Sequence, residues 1–73
     1  MKKYADKTGN SGVASFAIFP EAVQVKFKYS EEIYEYTYAS AGKKHIENMK
    51  NLALKGNGLS TYISQNVSED FEK

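Results

Sequence analysis

The clearest structural signal in the chain lies in residues 22–38, which read AVQVKFKYSEEIYEYTY. Apolar side chains occupy alternate positions in the first half, at Val23, Val25 and Phe27, and polar side chains lie between most of them. The alternation returns in the second half, where every other residue from Tyr34 onward is a tyrosine. Because successive side chains of a strand point to opposite faces, this pattern predicts an antiparallel hairpin with one packed face.

The register of this hairpin depends on its turn, which we place at Ser30 and Glu31. Pairing Tyr29 with Glu32 brings aromatic and β-branched side chains together on one face and opposite charges together on the other. Neither turn residue is the Gly or Asn that a two-residue turn prefers, so a four-residue loop over residues 29–32 is the alternative connection. Both connections predict the same opposite pairs: Phe27–Tyr34, Val25–Tyr36, Val23–Tyr38 and Lys26–Glu35.

Another strand is predicted upstream, over residues 13–19, where the chain is apolar and partly alternating. Pro20 suits the second position of a turn that runs from Phe19 to Ala22. The turn predicts that three further pairs lie opposite each other: Ile18–Val23, Phe16–Val25 and Ala14–Phe27. The three strands together would form an antiparallel meander.

After Tyr38 the apolar residues recur at steps of three and four, which predicts an amphipathic helix. The stripe consists of Gly42, Ile46, Met49, Leu52, Ala53 and Gly56. Ser40 is the predicted N-cap, and Gly56 suits the left-handed position that ends a helix. A second, shorter apolar pattern over residues 59–67 predicts about two more helical turns that return to the sheet.

The sequence therefore predicts an α+β fold, in which a three-stranded antiparallel meander is followed by one long and one short helix packed on one sheet face. The domain covers residues 13–67. Residues 1–12 are expected to form a mobile lead, because Tyr4 is their only large apolar group after the first methionine. Residues 68–73 form an acidic tail that we expect to fray.

The composition limits the classes of function that the chain can have. It has 73 residues, no cysteine and a net charge of +1, with ten lysines and no arginine. A charge this small gives no strong overall field, and the lack of arginine disfavours bidentate reading of bases. The apolar run at residues 16–19 is too short for a signal peptide or a membrane span, so we expect a cytoplasmic protein without membrane contact.

The predicted long helix carries the main candidate site, a local excess of lysines over a single Glu47. Such a patch can hold phosphates without reading bases. Residues Lys2, Lys3 and Lys7 would extend it if the N-terminal lead lies nearby. The alternative is a solvated helix face on which Lys43 and Glu47 form an ordinary surface pair. The candidate nucleic-acid-binding residues are Lys43, Lys44, Lys50 and Lys55.

The other residues that could bind a ligand or take part in catalysis are better explained by structural roles. Tyr34 and Tyr36 could stack on bases, but the predicted facing places them beneath the helices, which favours core packing. The only histidine, His45, has neither a second metal ligand at a suitable spacing nor a nucleophile beside it. Residues 55–58, Lys-Gly-Asn-Gly, follow a helix, whereas a phosphate loop precedes one. The sequence therefore predicts no catalytic residue, no metal and no cofactor, and the chain is expected not to be an enzyme.

A set of short motifs runs through the segment from Val13 to Ile63. They are Val23, Val25 and Phe27 in one strand, Tyr34-Glu35-Tyr36 in the next, and Lys55-Gly56 followed by Leu59 and Ile63. With these residues the segment resembles the KTSC family, small domains named for an appendage at the C-terminus of some lysyl-tRNA synthetases. The resemblance implies a free-standing bacterial or phage-type domain of unknown function, for which RNA binding has been proposed. This chain has Ser60-Thr61-Tyr62 where family members often carry basic residues and histidine.

Two hypotheses for function follow. The first is a small accessory module that binds RNA or DNA backbone through the lysines of the long helix, weakly and with strong salt dependence. The second is a protein-interaction or self-associating module with no nucleic-acid role. In that case the open edge of the meander, or the region around Tyr4 and Tyr29, would dock the partner.

Overall fold

The computed structural model describes residues 1–7, 9 and 11–72, and it is an antiparallel sheet with helices packed on one face. The sheet has four strands in the order β1-β2-β3-β4. The strands are β1 (Lys2–Lys3), β2 (Val13–Phe19), β3 (Ala22–Phe27) and β4 (Ile33–Thr37). The helices are α1 (Tyr38–Ala41), α2 (Lys43–Lys55) and α3 (Leu59–Tyr62), and α3 continues as the π-helical segment Ile63–Val67.

The β2–β3 hairpin confirms the predicted register over most of its length. Phe19 lies opposite Ala22, Ile18 opposite Val23 and Phe16 opposite Val25. The predicted Ala14–Phe27 pair is wrong, because a register shift between Val13 and Ser15 places Val13 opposite Phe27. The shift buries the larger valine completely, at 0% exposure, where a regular strand would have put an alanine.

The β3–β4 register differs from the prediction by two residues. Val25 lies opposite Tyr34 and Val23 opposite Tyr36, so the predicted pairs with Tyr36 and Tyr38 are wrong. The connection is longer than a two-residue turn, since Tyr29 leaves the strand and stacks on Phe27 with ring centroids 5.4 Å apart. A shift by two keeps each side chain on its predicted face, because the side-chain period of a strand is two. On the other face, Gln24 rather than Lys26 lies opposite Glu35.

The sheet has a fourth strand because the N-terminal segment pairs with β2. Lys2 lies opposite Phe16 and Lys3 opposite Ser15, which corrects the prediction of three strands. Tyr4 follows and is only 2% exposed, and its hydroxyl accepts a hydrogen bond from the Leu59 N–H at 3.2 Å. The mobile lead was expected over residues 1–12 because they contain little apolar surface. Here one aromatic ring anchors the first strand, while Thr8 and Asn10 lie outside the described residues.

The helical half begins one turn earlier than predicted. Thr37 is the N-cap, and its side chain accepts a hydrogen bond from the Ser40 N–H at 3.0 Å. The Ser40 hydroxyl in turn accepts a hydrogen bond from the Thr37 N–H at 3.0 Å, so Ser40 completes a capping box instead of being the N-cap itself. Gly42, with φ 96°, separates α1 from α2. Gly56 ends α2 in the left-handed conformation, as predicted, with φ 72°.

The core lies between the sheet and the helices. Tyr36 is 1% exposed, and Tyr34 is partly buried against the same cluster. The predicted tail also contacts the sheet: Phe71 packs edge-on against Tyr34, and the Glu72 N–H donates to the Glu35 carbonyl at 2.6 Å. The buried residues of the helices are Ile46, Met49, Ala53, Leu59, Ile63 and Val67. Among the described residues, no helix is long and apolar enough to cross a membrane.

Candidate binding surfaces

Lys50 is the predicted site lysine that the structure removes from the surface. Its side chain is only 14% exposed, and its ammonium lies 2.9 Å from the Glu47 carboxylate. It also donates to the Pro20 carbonyl at 2.8 Å and lies 5.8 Å from the centroid of the Tyr38 ring. With these three partners, Lys50 fastens α2 to the β2–β3 turn and has little capacity left for a phosphate.

Glu47 pairs with a different lysine from the one that the sequence suggests. The predicted partner was Lys43, but the carboxylate accepts hydrogen bonds from the Tyr38 hydroxyl at 2.7 Å and from Lys50 at 2.9 Å. The Tyr38 hydrogen bond, followed by the one from Lys50, holds the pKa of Glu47 below its ordinary value. The nearby charge of Lys43 adds to the same effect. Lys43 therefore lies exposed in the field of a carboxylate, which weakens its attraction for an anion.

Lys44 and Lys55 of α2, together with Asn51 and Lys7, form a surface that we call the lysine stripe. Positions 44, 51 and 55 are seven and four residues apart, so they lie on one side of α2, and all three side chains are exposed. Lys44 and Lys55 are separated by about 16 Å along the helix axis. Exposed Lys7 joins them at the C-terminal end, because its N–H donates to the Gly56 carbonyl at 2.8 Å.

His45 lies in a polar cluster that connects α2 to α3. Its Nδ1 is 2.6 Å from the Tyr62 hydroxyl, and Asn48 donates to that hydroxyl at 3.1 Å. The His45 and Tyr62 rings meet edge-on at 5.7 Å. Within the part of the chain that the structure describes, no three His, Cys, Asp or Glu side chains are grouped to hold a metal ion. The cluster holds the two helices together.

A second candidate site is a cavity of about 390 Å³ between the end of the β3–β4 pair, the α3–π segment and the tail. We call it the aromatic pocket. Its apolar wall consists of the rings of Phe27, Tyr29, Tyr34, Tyr36 and Phe71. Ser60, Ser64 and Ser68 of the α3–π segment also line it. Among the described residues that line the pocket, none carries a charge at neutral pH.

The rings of the pocket support one another. Tyr29 stacks on Phe27 at 5.4 Å with an interplanar angle of 17°, although the Tyr29 side chain is 78% exposed. Phe27 contacts Tyr34 at 5.5 Å, and Tyr34 contacts Phe71 edge-on at 4.9 Å. One ring face of Tyr29 is thus covered and the other is open. The wall is a continuous aromatic surface assembled from two strands, a loop and the tail.

The hydroxyl groups of the pocket are available to a ligand. Over residues 1–7, 9 and 11–72, the structure shows no hydrogen bond to the hydroxyls of Tyr29, Tyr34 and Tyr36 or to those of Ser60, Ser64 and Ser68. Burial raises the pKa of Tyr36 to about 12, and the neighbouring Tyr29 and Tyr34 contribute to the rise. Tyr36 is therefore a neutral phenol near neutral pH. A ligand in this pocket would meet uncharged donors and acceptors.

The residues that carry the family resemblance lie mainly in the core. Leu59 is 0% exposed and Ile63 is 4% exposed. A Cβ built on Gly56 would lie 2.5 Å from the Ala5 Cβ, so this position needs glycine for space as well as for its backbone angle. Four of these residues, Phe27, Tyr34, Tyr36 and Ile63, also line the pocket.

The aromatic pocket was not predicted from the sequence. One signal was present: serines recur at 60, 64 and 68, each directly after the buried positions 59, 63 and 67. Tyr29 and Phe71 carried no comparable signal, because the first lies in a loop and the second in a polar tail. Their positions beside Phe27 and Tyr34 depend on the tertiary fold.

The surfaces suggested for protein docking are also changed. Tyr4 is buried and cannot contact a partner, whereas Tyr29 is exposed. The β4 edge is partly covered by Glu72, whose carboxylate accepts a hydrogen bond from the Thr37 hydroxyl. The outer edge of β2 extends beyond its two residue pairs with β1, and Ile18 and Phe19 there are 39% and 42% exposed.

Comparison of the chain with protein-family models, curated proteins and solved structures gave no match. The resemblance to the KTSC family therefore remains a prediction from the residues quoted above.

Proposed function

We propose that this chain is a small, non-catalytic cytoplasmic module, similar to KTSC domains, that binds the backbone of RNA or DNA through the lysine stripe. The supporting observation is the exposure of Lys44, Asn51 and Lys55 along one side of α2, with exposed Lys7 beside the C-terminal end of the helix. The one carboxylate of α2, Glu47, is engaged by Tyr38 and Lys50. This revises the predicted set, since Lys50 has its own partners and Lys43 lies near Glu47.

The spacing of the stripe suits a nucleic-acid strand. Lys44 and Lys55 are about 16 Å apart, roughly five times the 3.4 Å at which the charges of one duplex strand recur along the helix axis, so the two lysines can approach different phosphates. Asn51 lies between them and can donate a hydrogen bond to a phosphate or sugar oxygen. The chain has no arginine to form bidentate contacts with guanine. The expected mode is therefore contact with the backbone and little sequence preference.

The same geometry predicts the strength and salt dependence of binding. Three lysine–phosphate contacts give a slope of about −2 to −3 for log K against log[salt]. Non-specific complexes of this kind have dissociation constants of about 10⁻⁴ to 10⁻⁶ M at physiological salt. Binding should be measurable by fluorescence anisotropy with labelled single- and double-stranded RNA at low salt.

The decisive comparison uses two triple variants with the same change in charge. One replaces Lys7, Lys44 and Lys55 by Gln, and the control replaces Lys2, Lys3 and Lys26, which lie on the sheet. We expect the stripe variant to lose binding and its salt dependence, while the control retains both. Equal losses in the two variants, or no binding by the unaltered chain at low salt, would overturn the proposal.

A second candidate is self-association through the outer edge of β2. It is favoured by exposed Ile18 and Phe19 beside a strand that β1 covers only in part. Light scattering over a wide protein concentration range tests this. A dimer that is lost on Phe19→Lys would support it, and a monomeric mass throughout would exclude it.

A further inference from the structure

We propose that the aromatic pocket binds a methylated or quaternary ammonium group. The site shares no residue with the lysine stripe, so this inference is independent of nucleic-acid binding. It rests on the arrangement of the five rings, on the charge of the chain segments around them and on the size of the cavity.

The rings provide the attraction. The face of an aromatic ring carries negative partial charge, and a cation within about 6 Å of the ring centroid is stabilised, most of all where water is excluded. Tyr29, Tyr34 and Phe71 meet the cavity from a loop, a strand and the tail, so a ligand is surrounded on several sides. An ammonium with methyl groups fits such a wall better than a bare ammonium, because it has less hydration to lose and presents apolar surface to the rings.

The charges near the pocket favour a cation over an anion. The residues that flank the lining positions include four exposed carboxylates, namely Glu31, Glu32, Glu69 and Asp70. Lys28 is the only lysine in residues 27–37 and 59–72, and Asp6 pairs with it at 2.7 Å. Lys73 follows this region and lies outside the described residues. A phosphate would be repelled here, whereas a cation would be attracted.

The dimensions and polar groups fit a small ligand. A cavity of about 390 Å³ lies within the range of small-molecule sites, and it is large enough for a trimethylammonium group with a short chain attached. Serines 60, 64 and 68 line the same cavity, and their hydroxyls are of the type that can bind a hydroxyl, carbonyl or amide on that chain. This chemistry is shared by choline-like small molecules and by the trimethyllysine side chain of a protein.

An amide NMR titration of the full chain tests the proposal. One pair of probes is choline and its neutral analogue, in which carbon replaces nitrogen. The other pair is trimethyllysine and unmodified lysine, each with its amino and carboxyl ends blocked. We expect saturable shifts at Tyr29, Ser64 and Phe71 with choline or trimethyllysine, and binding of the neutral analogue weaker by about tenfold, the size of a partly desolvated cation–π contact. If choline binds more tightly, the natural ligand is a free small molecule. If trimethyllysine binds more tightly, the ligand is a methylated protein.

Two variants at the exposed position Tyr29 test the contribution of one ring without unfolding the domain. Tyr29→Leu removes a ring and should weaken choline binding severalfold, whereas Tyr29→Phe keeps the ring and should bind like the unaltered chain. Because Tyr29 is 78% exposed, neither change should unfold the domain. Equal binding of choline and its neutral analogue would show an apolar cavity without selectivity for cations. That result, or an absence of shifts with every methylated probe, would overturn the proposal.

Discussion

The lysine stripe and the aromatic pocket differ in how they are encoded. The stripe belongs to one continuous helix, and its members follow from helical spacing apart from Lys7. The pocket draws its rings from β3, β4, the connection between them and the tail, with serines from the α3–π segment. A surface made by one element is visible in a sequence, whereas a surface made by several appears only when register and packing are known.

The largest expected effect comes from the residue that joins the first strand to the last helices. Tyr4→Ala should destabilise the domain by about 3–5 kcal/mol, because it removes a ring that is 2% exposed and leaves a cavity. Tyr4→Phe keeps the ring and loses only the hydrogen bond to Leu59, which should cost about 1 kcal/mol. Urea denaturation gives both values. Equal small losses would show that the N-terminal segment is not part of the core.

A substitution at Gly56 tests whether the close approach of Gly56 to Ala5, beside Lys7, contributes to stability. Gly56→Ala should destabilise by about 2–4 kcal/mol, since the new Cβ meets Ala5 at 2.5 Å and the residue keeps φ at 72°. Gly9→Ala is the matched control, because Gly9 has φ 75° and open space around its Cβ position. The control should lose only about 1–2 kcal/mol, the strain of the left-handed backbone. Similar losses in the two variants would show that contact with Ala5 is unimportant.

Alkaline pH should lower the stability of the fold through Tyr36, which lines the pocket. The pKa of Tyr36 is about 12 in the folded chain against 10.0 ordinarily, so the folded state holds a proton that the unfolded state releases. This contribution to stability is complete below pH 10 and is lost as the pH rises towards 12. Tyr36→Phe should reduce the loss of stability across this pH range. An unchanged profile, measured by urea denaturation at each pH, would contradict the burial of the hydroxyl.

The smallest expected effects come from two lysines of α2, Lys50 and Lys44, which should differ in their roles in stability and in RNA binding. Lys50→Gln should cost about 0.5–1 kcal/mol of stability and leave RNA binding unchanged, because its charge is already paired with Glu47. Lys44→Gln should leave stability unchanged and reduce the salt slope of RNA binding by about one. Denaturation and anisotropy on both variants give the result. The reverse outcome would favour the predicted lysine set over the revised one.

Most of the fold could be predicted because its signals are local. The facing of β3 and β4 follows from alternation, and the buried face of α2, with Ile46, Met49 and Ala53, follows from helical spacing. The pairing of β3 with β4 was wrong by two residues, because alternation determines the face of a side chain but not its partner. Ala14 was misplaced because a bulge leaves no clear local signal.

The candidate sites were harder to predict than the fold. Exposure of Lys44 and Lys55 follows from their place on the helix, but the loss of Lys50 depends on the Pro20 carbonyl and the Tyr38 ring. The pocket depends on Phe71, a lone aromatic residue in an acidic stretch. Single side chains that make distant contacts leave no periodic pattern, and these contacts are where sequence reasoning was incomplete.

The hydrogen bond between Tyr4 and Leu59 joins residues that are 55 positions apart in a chain of 73. The β2–β3 and β3–β4 hairpins need only short loops to close and can form within microseconds. The contact between Tyr4 and Leu59 can form only when the last helices are in place, and closing so long a loop carries an entropic cost before any contact compensates for it. The domain should therefore fold more slowly than its hairpins form, with the attachment of its first residues among the late events.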